Sequence, residues 1–334
     1  MTVPLSLLDL SIVDRGATTR DALEGSVALA RLAERVGYRR VWYAEHHNMR
    51  SIASAATSVV IAHVAAHTET IRLGAGGVML PNHSPLTIAE HYGTLATLHP
   101  GRIDLGLGRA PGTDERTMHA LRRDATSADT FPQDVQELRG YLAGDSLVPG
   151  VQAHPGAGTE VPLYILGSSL YGAQVAALLG LPYAFASHFA PDALRAAVAH
   201  YRAEFRPSAD LAEPYAMAAV NVVAADTDDE AQRLLAATRR WRAQRFLAPD
   251  HPLDDDQLDA LLASPQGQFV ARMMTYTAAG TPDAAVSYLD WFADHAGVDE
   301  LILAHAAPTG ADRLRSAELV AGAAGLGADA GTPA

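Results

Sequence analysis

The chain has no cysteine and no lysine: its Cys count is zero and all 25 of its Lys-plus-Arg residues are arginine. The first absence excludes thiolate nucleophiles, disulfides, iron–sulfur clusters and cysteine-type zinc sites. The second excludes Schiff-base chemistry and a P-loop phosphate lysine. Any phosphate must be held by arginine, hydroxyls or backbone N–H groups. Uncharged apolar runs near 18 residues are also missing, so no membrane span is expected. The first ten residues have neither a basic region nor a cleavage pattern, which points to a cytoplasmic protein. The net charge is −13, without a basic stripe, a poor match to nucleic acid or anionic membranes.

What is present is an alternation of short apolar strands and amphipathic helices over 334 residues. Pro4–Leu10, Arg40–Ala44, Ile71–Leu80, Ile103–Leu107, Leu163–Leu166, Tyr183–Ala186, Ala216–Ala225 and Glu300–Ala304 read as strands. Between them Thr19–Val36, Ala53–His67, Pro85–Leu98, Pro132–Leu142, Tyr171–Leu179, Pro191–Phe205, Asp228–Phe246 and Pro282–Ala296 read as helices. A last helix runs to about Ala324, before a frayed tail to Ala334. Alternation implies a parallel sheet. Eight near-regular units predict a single (β/α)8 TIM barrel over residues 1–334, rather than an open dinucleotide-binding sheet. Residues 110–162 break the rhythm as an insertion after strand 4, and residues 246–277 read as an acidic, mobile segment.

In such a barrel the chemistry sits at the C-terminal ends of the strands. That rule selects Glu45-His46-His47 after strand 2, Pro81-Asn82-His83 after strand 3, Arg109 after strand 4, Ser168-Ser169 with Tyr171 and Gly172 after strand 5, and Ser187-His188-Phe189 after strand 6. Of two adjacent histidines at a strand end, one can face the mouth as an acid, base or hydrogen-bond donor oriented by a carboxylate. Gly74-Ala75-Gly76-Gly77 inside a strand marks a bulge or the close approach of a flat ligand. Arg109 and the serine pair, on neighbouring strands, can grip one phosphate from two sides. Gly106-Leu107-Gly108 lacks the spacing of a dinucleotide fingerprint, and Pro111 intrudes. His63 and His67 stand four apart on a helix, but Val64 occupies the place of a zincin glutamate; no metal site is expected.

Three runs, Val41–His47, Leu73–Pro81 and Pro100–Arg109, together with Leu166–Ser169, resemble the bacterial-luciferase-like flavin-dependent monooxygenases, in the same order over nearly the whole chain. The resemblance implies reduced FMN as a diffusible cosubstrate, delivered by a separate NAD(P)H:flavin reductase, and O2 as oxidant through a flavin C4a-hydroperoxide. The substrate is then a small hydrophobic or aromatic molecule, such as an aldehyde or a polyketide. Some homodimeric members of the family tailor antibiotics. By the same resemblance His46 is the catalytic histidine, oriented near Glu45. Gly76 and Gly77 form a bulge with a cis peptide beside the flavin ring. Arg109, Ser168 and Ser169 hold the phosphate, with Tyr171 and Gly172 completing the grip and Arg122 or Arg123 as further contributors. Two departures separate the chain from the luminous enzymes: Gly108 stands where they carry a reactive cysteine, and Phe246–Thr277 lacks the lysine of their mobile loop. Two other readings of the same barrel are an F420-dependent hydride-transferring oxidoreductase and a non-catalytic flavin-binding protein.

Overall fold

The computed structural model describes residues 3–110, 112–249 and 251–327; Pro111 and the tail beyond 327 lie outside them. The strands are β1 (Leu5–Asp9), β2 (Arg40–Tyr43), β3 (Arg72–Met79), β4 (Ile103–Gly108), β5 (Leu163–Gly167), β6 (Tyr183–Phe185), β7 (Ala216–Ala224), β8 (Thr277–Gly280) and β9 (Glu300–His305). Every pairing between them is parallel. β1 to β7 follow one another around the wall, and β9 pairs with both β7 and β1, which closes an eight-stranded barrel. The expected (β/α)8 architecture is therefore the observed one.

The helices are α1 (Thr19–Val36), α2 (Thr57–Ala65), α3 (Pro85–Leu98), α4 (Glu115–Ala120), α5 (Phe131–Ala143), α6 (Leu170–Leu179), α7 (Leu194–Glu204), α8 (Asp228–Leu247), α9 (Asp255–Ala263), α10 (Gly267–Met273), α11 (Pro282–Ala296) and α12 (Gly310–Ala323). Local chemistry sets their ends. Thr18 and Asp21 form a capping box at the start of α1, and Gly37 stops it in the left-handed region at φ 90°. α2 begins four residues later than its sequence suggests, because the Ser54 hydroxyl donates to the carbonyls of Leu10 and Ala44 at 3.0 and 2.5 Å. That side chain ties the chain to the ends of two strands before it can coil.

Alternate strand residues divide between two cores, as the two-residue period requires. Leu7, Val41, Tyr43, Leu73, Leu105, Ile165, Val220 and Leu303 pack outward in the larger cluster, with the helices. Leu8, Trp42, Tyr164, Met217, Ala219, Ile302 and Ala304 fill the interior. Below them the first residues of β2 and β9 make a polar floor. Arg40, only 2% exposed, donates from Nη1 to Asp104 and Tyr164, both at 2.7 Å, and from Nη2 to Glu300 at 3.3 Å. Trp42 Nε1 and Arg72 Nε also donate to Asp104, both at 3.1 Å. The floor plugs one end of the barrel, so only the other end, where the strands finish, is open to a ligand.

The structure adds to the sequence reading in three places. β8 was not foreseen: Thr-Ala-Ala-Gly has little strand preference, and it is a strand because Asn221–Ala224 of β7 pairs with it. Residues 246–277 carry two helices. Asp254 and Gln257 cap α9 reciprocally, and its acidic residues Asp255 and Asp259 meet Arg240 of α8. Within the expected insertion, Phe131, Val135, Leu138, Tyr141 and Leu142 of α5 join the main core, so this helix is a regular barrel helix and the added segments flank it.

Candidate active site at the barrel mouth

β2, β4 and β5 run parallel and end at Tyr43, Gly108 and Gly167, so the residues that follow them stand at one rim. The register breaks once. Between Ala75 and Val78 two residues, Gly76 and Gly77, oppose Gly106 of β4, and the peptide joining them is cis. The reason for glycine is contact. A Cβ on Gly77 would lie 2.8 Å from Gly106 O, and one on Gly106 would lie 2.4 Å from Ala75 O. The bulge turns Gly77 O toward Glu45 N, which donates to it at 3.3 Å. At Gly108 a Cβ would meet Met79 Sδ at 2.9 Å, so Met79 fills the space a cysteine side chain would need.

Glu45 is placed differently from the expectation. Its Oε1 accepts from His47 Nε2 at 2.8 Å and from His83 Nε2 at 2.9 Å, and Oε2 accepts from Met79 N at 3.2 Å. Residues two apart on extended chain share a face, so 45 and 47 point together and 46 points away. Glu45 therefore fastens the end of β2 to the turn after β3 and does not hydrogen-bond the His46 ring. The donor atoms of Glu45, His47 and His83 lie within 4.8 Å of one another, a grouping with metal-ligand chemistry where none was anticipated. Here the carboxylate is already satisfied by two imidazoles and a backbone N–H. Burial opposes ionisation of Glu45, but the hydrogen bonds from His47 and His83 outweigh it and hold its pKa below the usual range. The same bond raises His47.

His46 faces the other way, into the mouth, and its Nδ1 is buried without a hydrogen-bond partner among the described residues. Burial, reinforced by the charge of Arg245, pushes its pKa down to about 4. Across the mouth stands His188, three residues beyond β6, with its own Nδ1 buried and unpartnered. Burial, then the charges of Arg242 and His46, push it down to about 3. Both rings are neutral at physiological pH. His83 and His188 were within runs selected by the strand-end rule, but their partners lie 38 and more than 30 residues away and leave no mark in the sequence.

Arg109 and the serine pair are brought together at this rim. β4 and β5 are neighbours, with Gly108 opposite Leu166. Arg109 stacks on Tyr171, its Cζ 4.4 Å from the ring centroid, and Nε donates to Ala128 O at 3.2 Å. This brings the guanidinium over the start of α6. Ser169 caps that helix without a side-chain hydrogen bond, and Ser168 and Ser169 are exposed, so hydroxyls and helix N–H groups are free for an anion. Gly167 and Gly172 pack so closely that a Cβ on Gly172 would lie 3.1 Å from Gly167 Cα, and Tyr183 Oη braces the turn by donating to Ser169 O at 3.1 Å. Arg123 adds a buried Nε without a hydrogen-bond partner, while Arg122 is exposed. His63 is exposed on α2 and His67 is exposed two residues past its end.

Among the described residues, no helix is long and apolar enough to cross a membrane.

A model of the luciferase-like monooxygenases matches residues 8–300. A luciferase-like monooxygenase of Escherichia coli (strain K12) is 57% identical over 240 residues, 72% of each chain. The Bacillus subtilis (strain 168) protein YvbT is 45% identical over 326 residues, 95% of each chain. The crystal structure of apo-MsnO8 superposes with a TM-score of 0.88 at 38% identity, covering 99% of this chain and all of that one. A closed parallel barrel, a cis Gly-Gly bulge, and an arginine, two serines and a neutral imidazole at one rim thus occur in a sequence that one family's model matches over residues 8–300: the chain belongs to the luciferase-like monooxygenases.

Proposed function

We propose that this chain is the oxygenating component of a two-component monooxygenase that takes reduced FMN from a separate NAD(P)H:flavin reductase and inserts one atom of O2 into a small hydrophobic or aromatic molecule. One relationship carries the reading: Arg109, laid across Tyr171 at the uncapped start of α6, shares a rim with the unpartnered Nδ1 of His46. The donor set fits FMN. Arg109, Ser168, Ser169 and the N–H groups of Tyr171 and Gly172 would hold the phosphate, and the backbone bared at Gly76-Gly77 would receive the flat ring. When bound, reduced FMN supplies the two electrons that activate oxygen, one atom passing to the substrate and the other to water.

The protein's own contribution is binding, orientation, dryness and one proton. His46 is neutral, so its Nδ1 can accept a hydrogen bond, or hold a proton briefly, without a standing charge in the mouth. Glu45 positions His46 indirectly, by anchoring its neighbour His47. The apolar interior of Leu8, Trp42, Met217 and Ile302 keeps water from the site below. We infer a homodimer through the early helices, where Val59 of α2 is 66% exposed.

The test is aerobic turnover with a flavin reductase, FMN and NADH, using a panel of aldehydes and aromatic polyketides, read by product mass. Products heavier by one oxygen atom are expected. Binding of reduced F420 with no binding of FMN would replace the monooxygenase by a hydride-transferring oxidoreductase.

A further inference from the structure

α8 crosses the open end of the barrel and turns two arginines, Arg242 and Arg245, toward it. Arg242 is 8% exposed, yet its partners are neutral: Nη2 donates to Asn221 Oδ1 at 2.6 Å and Nη1 reaches His188 O at 3.4 Å. Arg245, one helical turn on, donates to Ser51 Oγ at 2.9 Å and Met49 Sδ at 2.8 Å and lies against Trp241 and Phe246. Neither forms an ion pair among the described residues. The contrast with Arg40 is sharp, because that arginine is equally buried and meets two carboxylates. A buried guanidinium without an anion is costly, and half-buried Arg245 stands close enough to disfavour the charge of Arg242 further.

Arg242 and His188 line one cavity at the mouth, whose walls include Leu8, Leu10, Ile12, Trp241, Ala304 and Ala306. The cavity is apolar apart from a few polar tips. Its one carboxylate, Asp9, accepts from Ser11 N at 2.8 Å, and among the described residues it makes no ion pair with either arginine of α8. His305 also lines it, with Nδ1 tied to Ser316 Oγ at 2.8 Å and Nε2 buried and unpartnered. Arg313 also lines it but is paired with Asp14 at 2.8 Å, so Arg242 is the cation that this apolar chamber leaves without a carboxylate among the described residues, in a chain whose net charge is −13.

We propose that Arg242 and Arg245 are the recognition point for an acidic group, so that the molecule this site takes is an apolar organic acid with its carboxylate on α8. The inference rests on the reading of this rim as a monooxygenase site and names its substrate class. A planar guanidinium pairs two N–H donors with the two oxygens of a carboxylate, a geometry no neutral ester or amide reproduces. The body of the acid then lies along the apolar wall, with the neutral imidazole of His188 beside it.

Calorimetric titration with 2-naphthoate and with methyl 2-naphthoate, in the presence and absence of FMN, tests this. The acid is expected to bind about tenfold or more tightly than the ester, the size of a charged hydrogen-bonded contact. Arg242→Gln and Arg245→Gln, checked for folding by circular dichroism, should each remove most of that preference and leave the Kd for FMN unchanged. Equal binding of acid and ester, tighter binding of the ester, or no binding of either to the parent protein overturns the proposal. So does an Arg242→Gln variant that keeps the preference for the acid but loses FMN, which would turn the arginine to the cofactor. The arm without FMN separates the two readings: a chain that binds no flavin but still prefers the acid loses only the monooxygenase assignment.

Discussion

Glu45 Oε1 stands 2.8 Å from His47 Nε2, and this bond joins two groups whose titrations move in opposite directions. The pair is fully charged between the lowered pKa of Glu45 and the raised pKa of His47. Stability from Glu45 is present above its unfolded value of about 4.3 and is lost as pH falls through the lower folded value. Stability from His47 is present below its unfolded value of about 6.5 and is lost as pH rises through the higher folded value. Glu45→Gln should therefore destabilise the protein most near pH 5.5, and less at pH 8.5. Urea unfolding of both proteins at the two pH values checks it; an equal loss at both would show that the ionic component is negligible.

His46→Ala should lower kcat by about 10²–10⁴, the usual contribution of a positioned acid or base, with FMN affinity nearly unchanged. Because the His46 pKa is pushed down to about 4, the ring is already neutral at pH 5.5. No loss of rate from its protonation is expected between pH 5.5 and 8. Turnover retained in the alanine variant would remove the ring from the reaction.

Arg109→Ala should weaken FMN binding by about 1.5–3 kcal/mol, the range for a hydrogen bond to a charged group. Riboflavin, which lacks the phosphate, should bind the parent and the variant alike. Tyr171→Leu should cost less, about 0.5–1 kcal/mol, because it removes only the ring beneath an exposed guanidinium. Fluorescence titration with both flavins gives all the numbers. A variant that loses riboflavin as strongly as FMN would show that Arg109 does not act on the phosphate.

Gly77→Ala places a methyl group 2.8 Å from Gly106 O, so two strands must part at the bulge. Overpacking of this kind costs about 1–3 kcal/mol, and the flavin ring should lose its seat together with the stability. Gly25→Ala serves as control, because nothing lies within 4 Å of a Cβ there. Thermal unfolding and FMN titration of both variants distinguish a local clash from a general dislike of alanine.

Asp104→Asn should destabilise the fold by about 3–5 kcal/mol, since it leaves Arg40 with one carboxylate in a floor that water does not reach. Flavin should still bind the folded fraction, because the floor lies at the end of the barrel opposite the rim. Denaturant unfolding measures the first effect and FMN titration the second.

The barrel and much of its rim were legible in the sequence, because a strand end is a local pattern. Apolar period, Gly and Pro breaks, and the residues just past each strand located His46, the Gly76-Gly77 bulge, Arg109 and the serine pair. Pairings between distant residues were not legible in that way. The sequence places Glu45 beside two imidazoles without saying which it bonds; the two-residue period of extended chain gives it to His47, and His83 reaches it across 38 positions. β8 escaped notice because its four small residues become a strand only against β7.

By itself, then, the sequence determined that strands alternate with helices, that phosphate must be met by arginine and backbone, and that no thiol chemistry is available. These follow from composition and from periods a few residues long. Only the tertiary structure decided which carboxylate faces which imidazole, that Arg40 is neutralised and Arg242 is not, and that Gly77 and Gly106 must both lack a side chain. Those outcomes depend on where closure of the barrel places residues far apart in the chain, and on burial, which makes an unmatched charge costly where a surface charge would cost almost nothing.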